Sequence, residues 1–311
     1  MDLIGVREDI RAALADGRPV VALESSVIAH GLPFPANLRV AHSLEEAVRV
    51  AGATPATVGV IGGRVRVGLE LEEIERLGGS GHVLKCAAGD LGWAITRSAD
   101  GATTVSATVF AAACVGIDVV ATGGIGGVHR GDTGDVSADL PALAHHPVAV
   151  VAAGAKSILD LSRTLEALET LGVPVVGLGT RYFPAFYARS SGLVLDKHAD
   201  QAEDIARFCL IRWRWLRQRG GVLVACPCPE EQALEPSEVE ETTARALRDA
   251  AAEGVYGKRL TPWLLASVTK TLGPRAVAAN HALLLNNARV GASIATALCQ
   301  LSSASTSPTG H

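Results

Sequence analysis

The stretch from Thr122 to Leu140, TGGIGGVHRGDTGDVSADL, gathers six glycines, one histidine, one arginine and three aspartates directly behind the apolar run Asp118-Val-Val-Ala. Those residue types in one loop suit an anion and a metal ion. Glycine admits positive φ, so a backbone rich in it can turn N–H groups into a concavity that holds an anion. His129 and Arg130 would add charge at the rim. Asp135 and Asp139 flank Ser137; oxygen ligands of this kind can hold a divalent ion or a sugar hydroxyl, and their plainer role is helix capping. Ser137-Ala-Asp-Leu reads as a helix start whose N-terminal dipole faces the anion.

Two familiar loop motifs fail here. A dinucleotide fingerprint needs a third glycine where Gly124-Ile-Gly126-Gly-Val-His129 has histidine, and a P-loop needs lysine where this chain has Asp132. A nicotinamide fold and an ATPase are therefore set aside. What remains is a dedicated phosphate pocket, or a Gly-rich surface turn without a ligand.

Three further residues end apolar runs. Lys156 follows VAVVAAGA and opens Ser157-Ile-Leu-Asp, read as a helix start. Desolvation and the positive end of a helix would both favour its neutral amine, a nucleophile able to form a Schiff base with an aldehyde; the alternative is a surface lysine in a first helical turn. Glu24 follows Val20-Val-Ala-Leu, where a carboxyl group can donate or accept a proton, or simply face water. Lys85 follows His82-Val-Leu and is the weakest of the three signals. Together these residues describe a phosphorylated sugar, an amine for carbonyl chemistry and a carboxyl group for proton transfer. An aldolase, a lyase and a glycosidase working through an imine all fit.

The elements that must position them are short β-branched runs, at Val20, Thr57, His82, Val119, Val148, Val173 and Val222, alternating with stretches of 3.6-residue periodicity such as Ser157 to Leu171. This is the alternation of an α/β protein, a mostly parallel sheet covered on both faces, which collects ligands at the carboxyl ends of its strands. After residue 236 the pattern turns helical: Ser237-Glu-Val-Glu240 predicts a capping box, and helices continue to about Ser302 as a C-terminal layer. The reading is one domain over 1–301 and a disordered tail over 302–311, SSASTSPTGH.

The 311 residues are 48% hydrophobic and carry a net charge of −4. That is enough apolar material for a sizeable core, without the positive charge of a partner for nucleic-acid polymers. The N-terminus, MDLIGVREDIRAALADG, has no apolar core of a signal peptide. The apolar stretches are interrupted by Asp118 and by His145-His146-Pro147, short of the ~20 residues that span a bilayer. A cytoplasmic protein with no membrane partner is expected. Six scattered cysteines read as reduced thiols, and Cys226-Pro-Cys228 as a pair of small apolar residues at a strand end.

The order VALESSVIAHGLPFPAN, ATPATVGVIGG, Asp100-Gly-Ala-Thr-Thr-Val105, ATGGIGGVHRG, SADL, AGAKSILDL, GVPVVG, FPAFY and LLNNA, spread over about residues 18 to 300, resembles the pseudouridine-5′-phosphate glycosidase family. The resemblance implies a three-layer α/β/α sandwich, a homotrimer and a divalent ion, usually Mn2+. It implies reversible cleavage of pseudouridine 5′-phosphate to uracil and ribose 5-phosphate. By motif, Lys156 is the nucleophile and Glu24 the proton donor and acceptor; Asp135 is the metal carboxylate. Ser137, Ala138, Asp139, Lys85 and Val105 bind substrate, His129 and Arg130 contact phosphate, and Asn280 reads the uracil edge. Three places depart from the family pattern: Ala87-Ala-Gly-Asp-Leu-Gly92 lacks two arginines, the loop between Gly131 and Asp135 is about two residues shorter, and Cys226-Pro-Cys228-Pro replaces Asn-Pro-Ile-Pro.

Overall fold

A computed structural model describes residues 3–31, 34–131, 134–256 and 260–304. In chain order the first half runs β1 (Ile4–Val6), α1 (Glu8–Ala15), β2 (Val20–Leu23), α2 (Ser26–His30), α3 (Ala36–Val50), β3 (Thr54–Ile61), β4 (Arg64–Val67), α4 (Leu71–Gly79), β5 (Leu84–Cys86), α5 (Leu91–Thr96), β6 (Gly101–Thr103), α6 (Val105–Val115), β7 (Val119–Ala121) and β8 (Val128–His129). The second half runs α7 (Asp139–His145), β9 (Ala149–Ala152), β10 (Leu159–Asp160), α8 (Leu161–Thr170), β11 (Val175–Leu178), β12 (His198–Ala199), α9 (Ala202–Leu210), β13 (Val222–Ala225), α10 (Pro236–Ala252), α11 (Leu260–Leu272) and α12 (Pro274–Ala304).

The main sheet has the order β1-β4-β3-β2-β7-β9-β13-β11-β12, with β6 joining β3 to β5. Its only antiparallel pairs among the described residues are β3–β4 and β3–β6. The central strands β2, β7, β9 and β13 are apolar throughout and wholly buried, because helices cover both of their faces and neither face meets water. On one side α12 lies across β2, β7 and β9 between α3 and α9; on the other α6 packs against β2, β3 and β7 and is followed by α7 and α8. Gly291 lets α12 sit low, since a Cβ there would already touch Ala121 at 3.3 Å and Val21 at 3.4 Å. The expected α/β/α sandwich with a mostly parallel sheet is the observed fold.

Three local expectations change. By length and composition α12 could cross a membrane, yet 56% of its most apolar window is buried inside the protein, so it is a core helix, and a longer apolar helix than the interrupted runs suggested. It also carries Ser302, Ser303 and Ala304, three residues assigned to the tail; 305–311 lie outside the described residues. The capping box at Ser237 does not form: α10 begins two residues earlier than that box requires, with Glu235 at the N-cap and Pro236 at N1, where a missing N–H costs nothing.

Candidate active site

Sheet register places the carboxyl group. Leu23 at the end of β2 pairs with Ala121 at the end of β7, so the next residues, Glu24 and Thr122, are neighbours. Thr122 Oγ1 donates to Glu24 Oε1 and Ser26 Oγ to Oε2. Glu24 is only 7% exposed, and a carboxylate is tolerated at such depth because both oxygens accept hydrogen bonds.

The lysine arrives by the same ladder. Beyond β7 and β9 the two chains stay paired: Ala153 N–H donates to Gly123 O at 2.9 Å, Ile125 N–H to Gly154 O at 3.1 Å, and Lys156 N–H to Ile125 O at 3.0 Å. Gly154 is required there, with φ +75° and Pro184 O only 2.2 Å from where a Cβ would sit. Contrary to expectation, no helix starts at Ser157. The chain first pairs Leu159 and Asp160 with His129 and Val128, and α8 starts at Leu161, where Asp160 accepts Arg163 N–H at 3.0 Å. Lys156 therefore stands on a strand extension and not at the start of a helix.

Lys85 is carried by β5, which pairs with β6; Ser25 Oγ, accepting Thr103 N–H at 2.9 Å, docks β6 beside the end of β2. Solvent reaches Lys85 from the cleft, yet protein surrounds it on most sides. Burial lowers its pKa from the usual lysine value and the charge of Lys156 lowers it further, while Glu24 and Asp139 act the other way. The two lysines stand where two chambers meet. One, about 90 Å³, has Val27, Phe186, Leu265 and Leu284 among its walls, with Glu24 and Asn280 as polar groups. The other, about 900 Å³, is lined by Thr104, Ser106, His129, Asp135, Ser137 and Asp139, with Ala138 beside them. The narrow chamber suits a flat, largely apolar ring with one edge to be read; the wide one suits a polar sugar phosphate.

The Gly-rich loop works differently from the expected anion nest. Of its six glycines only Gly131 and Gly134 have positive φ. Gly124, Gly126 and Gly127 are demanded by close packing, since a Cβ would lie 2.6 Å from the Phe186 ring, 2.2 Å from Ser137 Oγ and 2.3 Å from Thr164 Oγ1 respectively. Several of its N–H groups are engaged within the protein: Gly126 with Asp139 Oδ2 at 2.8 Å, Val128 with Thr164 Oγ1 at 3.0 Å, His129 with Asp135 O at 3.0 Å. Asp139 also accepts Ser106 N–H at 2.8 Å, so it chiefly locks this loop to the start of α6. Asp132, and the shortened loop that contains it, lie outside the described residues.

Arg130 is turned away from the cleft, which corrects its assignment to phosphate. Its guanidinium grips Glu240 of α10 at 2.5 and 2.8 Å and donates to Leu159 O and Ser157 O at 3.2 and 3.1 Å. The pair also explains why Glu240 makes no capping box. The Val105 side chain is buried in the core; what it can offer a ligand is its N1 backbone N–H, which has no acceptor within a helix. His129 does face the wide chamber, with Nε2 3.2 Å from Thr261 Oγ1 and 3.8 Å from Asp135 Oδ2. Burial pushes its pKa down against the opposing pull of Asp135, and Lys85 and Lys156 lower it further.

Among the described residues no three His, Cys, Asp or Glu side chains converge as a metal cage. An ion held by one carboxylate plus water and substrate oxygens needs no such cage, and Asp135, 40% exposed on the wide chamber, fits that role. Sequence reasoning missed Ser26, Thr122 and Thr261, whose hydroxyls hold Glu24 and His129, and His30, which lines both chambers. Ser26 lies two residues from Glu24 and Thr122 heads the Gly-rich stretch, so both were near enough in sequence to notice, whereas Thr261 was not.

Fold and site together define an α/β enzyme that sets an amine and a carboxyl group over a divided, sugar-sized cleft. Residues 9–297 match the family model described as Indigoidine synthase A like protein. The chain is 48% identical over 300 residues to the pseudouridine-5′-phosphate glycosidase of Caldanaerobacter subterraneus subsp. tengcongensis, covering 96% of this chain and 97% of that protein. It is 51% identical over 304 residues to that of Chloroflexus aurantiacus, covering 96% and 100%. Among solved structures it resembles the prealnumycin C-glycosynthase AlnA in complex with ribulose 5-phosphate, with TM-score 0.91, 38% identity and coverage of 98% of this chain and 99% of that one. It also resembles an indigoidine synthase A-like protein from Thermotoga maritima, with TM-score 0.87, 33% identity and coverage of 96% and 97%. The chain belongs to the Indigoidine synthase A like family, to which it is joined by relatives that are pseudouridine-5′-phosphate glycosidases.

Proposed function

We propose that this chain cleaves, reversibly, the C–C glycosidic bond of pseudouridine 5′-phosphate to uracil and ribose 5-phosphate through an imine on Lys156. The observation that carries it is the placing of Lys156 and Glu24 at one sheet end, opening on an apolar chamber with Asn280 and a polar chamber with Ser137, Ala138 and Asp139. A carbon leaving group has no lone pair to protonate, so the usual pair of carboxylates cannot act on it. Lys156 Nζ, as the neutral amine, attacks C1′ and displaces O4′, which takes a proton from Glu24. The ammonium formed returns a proton to Glu24. Its nitrogen lone pair then forms the C1′=N bond as the C1′–C5 bond breaks, and Glu24 gives that proton to C5 of uracil. Water hydrolyses the imine, releasing ribose 5-phosphate and restoring both residues. Run towards synthesis the reaction loses water, which makes it a carbon–oxygen lyase of the hydro-lyase type.

The family resemblance and the half-exposed carboxylate support Mn2+ at Asp135, where it would neutralise charge on a bound sugar phosphate. Lys85, on the wall of the wide chamber, is assigned the phosphate, given where Arg130 points. The enzyme is proposed to be a cytoplasmic homotrimer, for whose interface the exposed Trp93 and Trp215 offer apolar surface. The test combines ribose 5-phosphate, uracil and Mn2+, with borohydride in a parallel tube. Pseudouridine 5′-phosphate and a reduced sugar adduct on Lys156 are expected, and a chelator should stop turnover until Mn2+ is restored. An adduct without uracil coupling would favour an aldolase; turnover indifferent to chelation would remove the metal from Asp135.

A further inference from the structure

We infer that Asn287 is a positioning residue for proton transfer by Glu24, acting through Thr122; this rests on the proton-transfer role proposed for Glu24. Asn287 projects from α12 and is fully buried beneath the end of β7. Its Nδ2 donates to Thr122 O at 2.8 Å and to Gly123 O at 3.3 Å. Both partners are carbonyls, so the amide nitrogen must face them. Thr122 N–H is held in turn by Val151 O at 3.0 Å. With both flanking peptide groups fixed and a β-branched side chain stiff at χ1, the Thr122 hydroxyl has one direction to point, and it points at Glu24 Oε1.

Two observations separate this from ordinary packing. Asn287 Oδ1 is buried without a hydrogen-bond partner, a state that costs stability and that the two bonds from Nδ2 must offset. Behind Glu24 lies a gap of about 10 Å³ bounded by Leu23, Val27, Leu44, Thr122 and Leu284, at the lower edge of what one water needs. With the Thr122 hydroxyl displaced, the carboxyl group would keep Ser26 Oγ on Oε2 and lose the bond that orients Oε1.

The experiment measures kcat, KM and the pH–rate profile for full-length Asn287→Leu, Thr122→Val, Thr122→Ser and Glu24→Gln, with Tm as a control for folding. We expect kcat to fall about tenfold in Asn287→Leu and about a hundredfold in Thr122→Val, with KM within about twofold of wild type, as for lost orientation rather than lost binding. Thr122→Ser should recover most of the loss seen in Thr122→Val, and the two damaging variants should displace the pH profile in the same direction, which a packing defect would not do. If Glu24→Gln keeps its turnover, the role of Glu24 and this inference fall together. If Glu24→Gln is inactive but folded Asn287→Leu matches wild type in kcat and pH profile, the inference alone is overturned. Should Asn287→Leu not fold, equal kcat in Thr122→Val and Thr122→Ser overturns it instead.

Discussion

The two ends of the central strands face cavities of similar size and do different things. At the carboxyl ends Glu24, Thr122 and Lys156 are drawn together by strand register, Glu24 opening on the chamber of about 90 Å³ and Lys156 on both that one and the chamber of about 900 Å³. At the amino ends a groove of about 650 Å³ is lined by Asp16, Arg18, Asp118 and Arg214. There the charges balance locally: Arg18 pairs with Asp16 at 3.3 Å, and the Asp118 carboxyl, raised by burial, is drawn back by Arg214. Volume therefore does not mark the site. What marks it is a set of polar groups held by hydroxyls and backbone against apolar walls, with two lysines and the carboxyl groups of Glu24, Asp135 and Asp139 gathered around one cleft. Substitutions at the first end should move rates, and at the second only stability.

The largest effect should come from Lys156→Ala. Removing the covalent nucleophile should lower kcat by about 10⁴-fold or more and abolish borohydride trapping, with Tm close to wild type. Full turnover in this variant would sink the imine. Lys85→Met should act on binding instead, raising KM for pseudouridine 5′-phosphate about 10- to 100-fold, the scale of one charge-assisted hydrogen bond. A fall in kcat alone would move Lys85 from the phosphate to the chemistry. Gly126→Ala joins the two readouts. Its Cβ would meet Ser137 Oγ at 2.2 Å and Asp139 Oδ2 at 3.0 Å, so it should cost about 1–3 kcal/mol of stability as overpacking and lower kcat/KM as Ser137 is pushed from the chamber wall.

These effects also show which parts of the molecule were legible in its sequence. Val20, Val119, Val148 and Val222 announced central strands because burial on both faces leaves an unbroken apolar run, and Glu24 and Lys156 stood out as the polar residues that end such runs. What depended on residues far away in sequence did not show. Arg130 looks like a phosphate ligand until Glu240, 110 positions on, takes its guanidinium. Gly126 and Gly127 look like positive-φ turns until Ser137 and Thr164 supply the crowding that requires them. Ser157 resembles an N-cap, but it opens a turn, Leu159 N–H donating to Lys156 O at 3.0 Å, after which Leu159 and Asp160 pair with β8 before the helix starts. Thr122 became part of the site only once Leu23 was known to pair with Ala121.

The smallest effect belongs to the opposite end, and it sharpens the contrast by leaving catalysis alone. His146, just before β9, packs edge-on against Phe110 at 5.7 Å, and burial, with a lesser push from His145, lowers its pKa below the usual histidine value. The unfolded chain therefore takes up this proton first as pH falls. Stability from His146 is complete above about pH 6.5 and declines as pH drops through the lower folded value, below which both states are protonated. His146 is partly exposed, so solvent screening keeps the change to a few tenths of a kcal/mol. His146→Gln should flatten the slope of Tm below about pH 6.5 and leave kcat and KM at neutral pH unchanged. A change in kcat would mean that the amino ends of the strands communicate with Lys156 through the sheet, and the division of labour between the two ends would be lost.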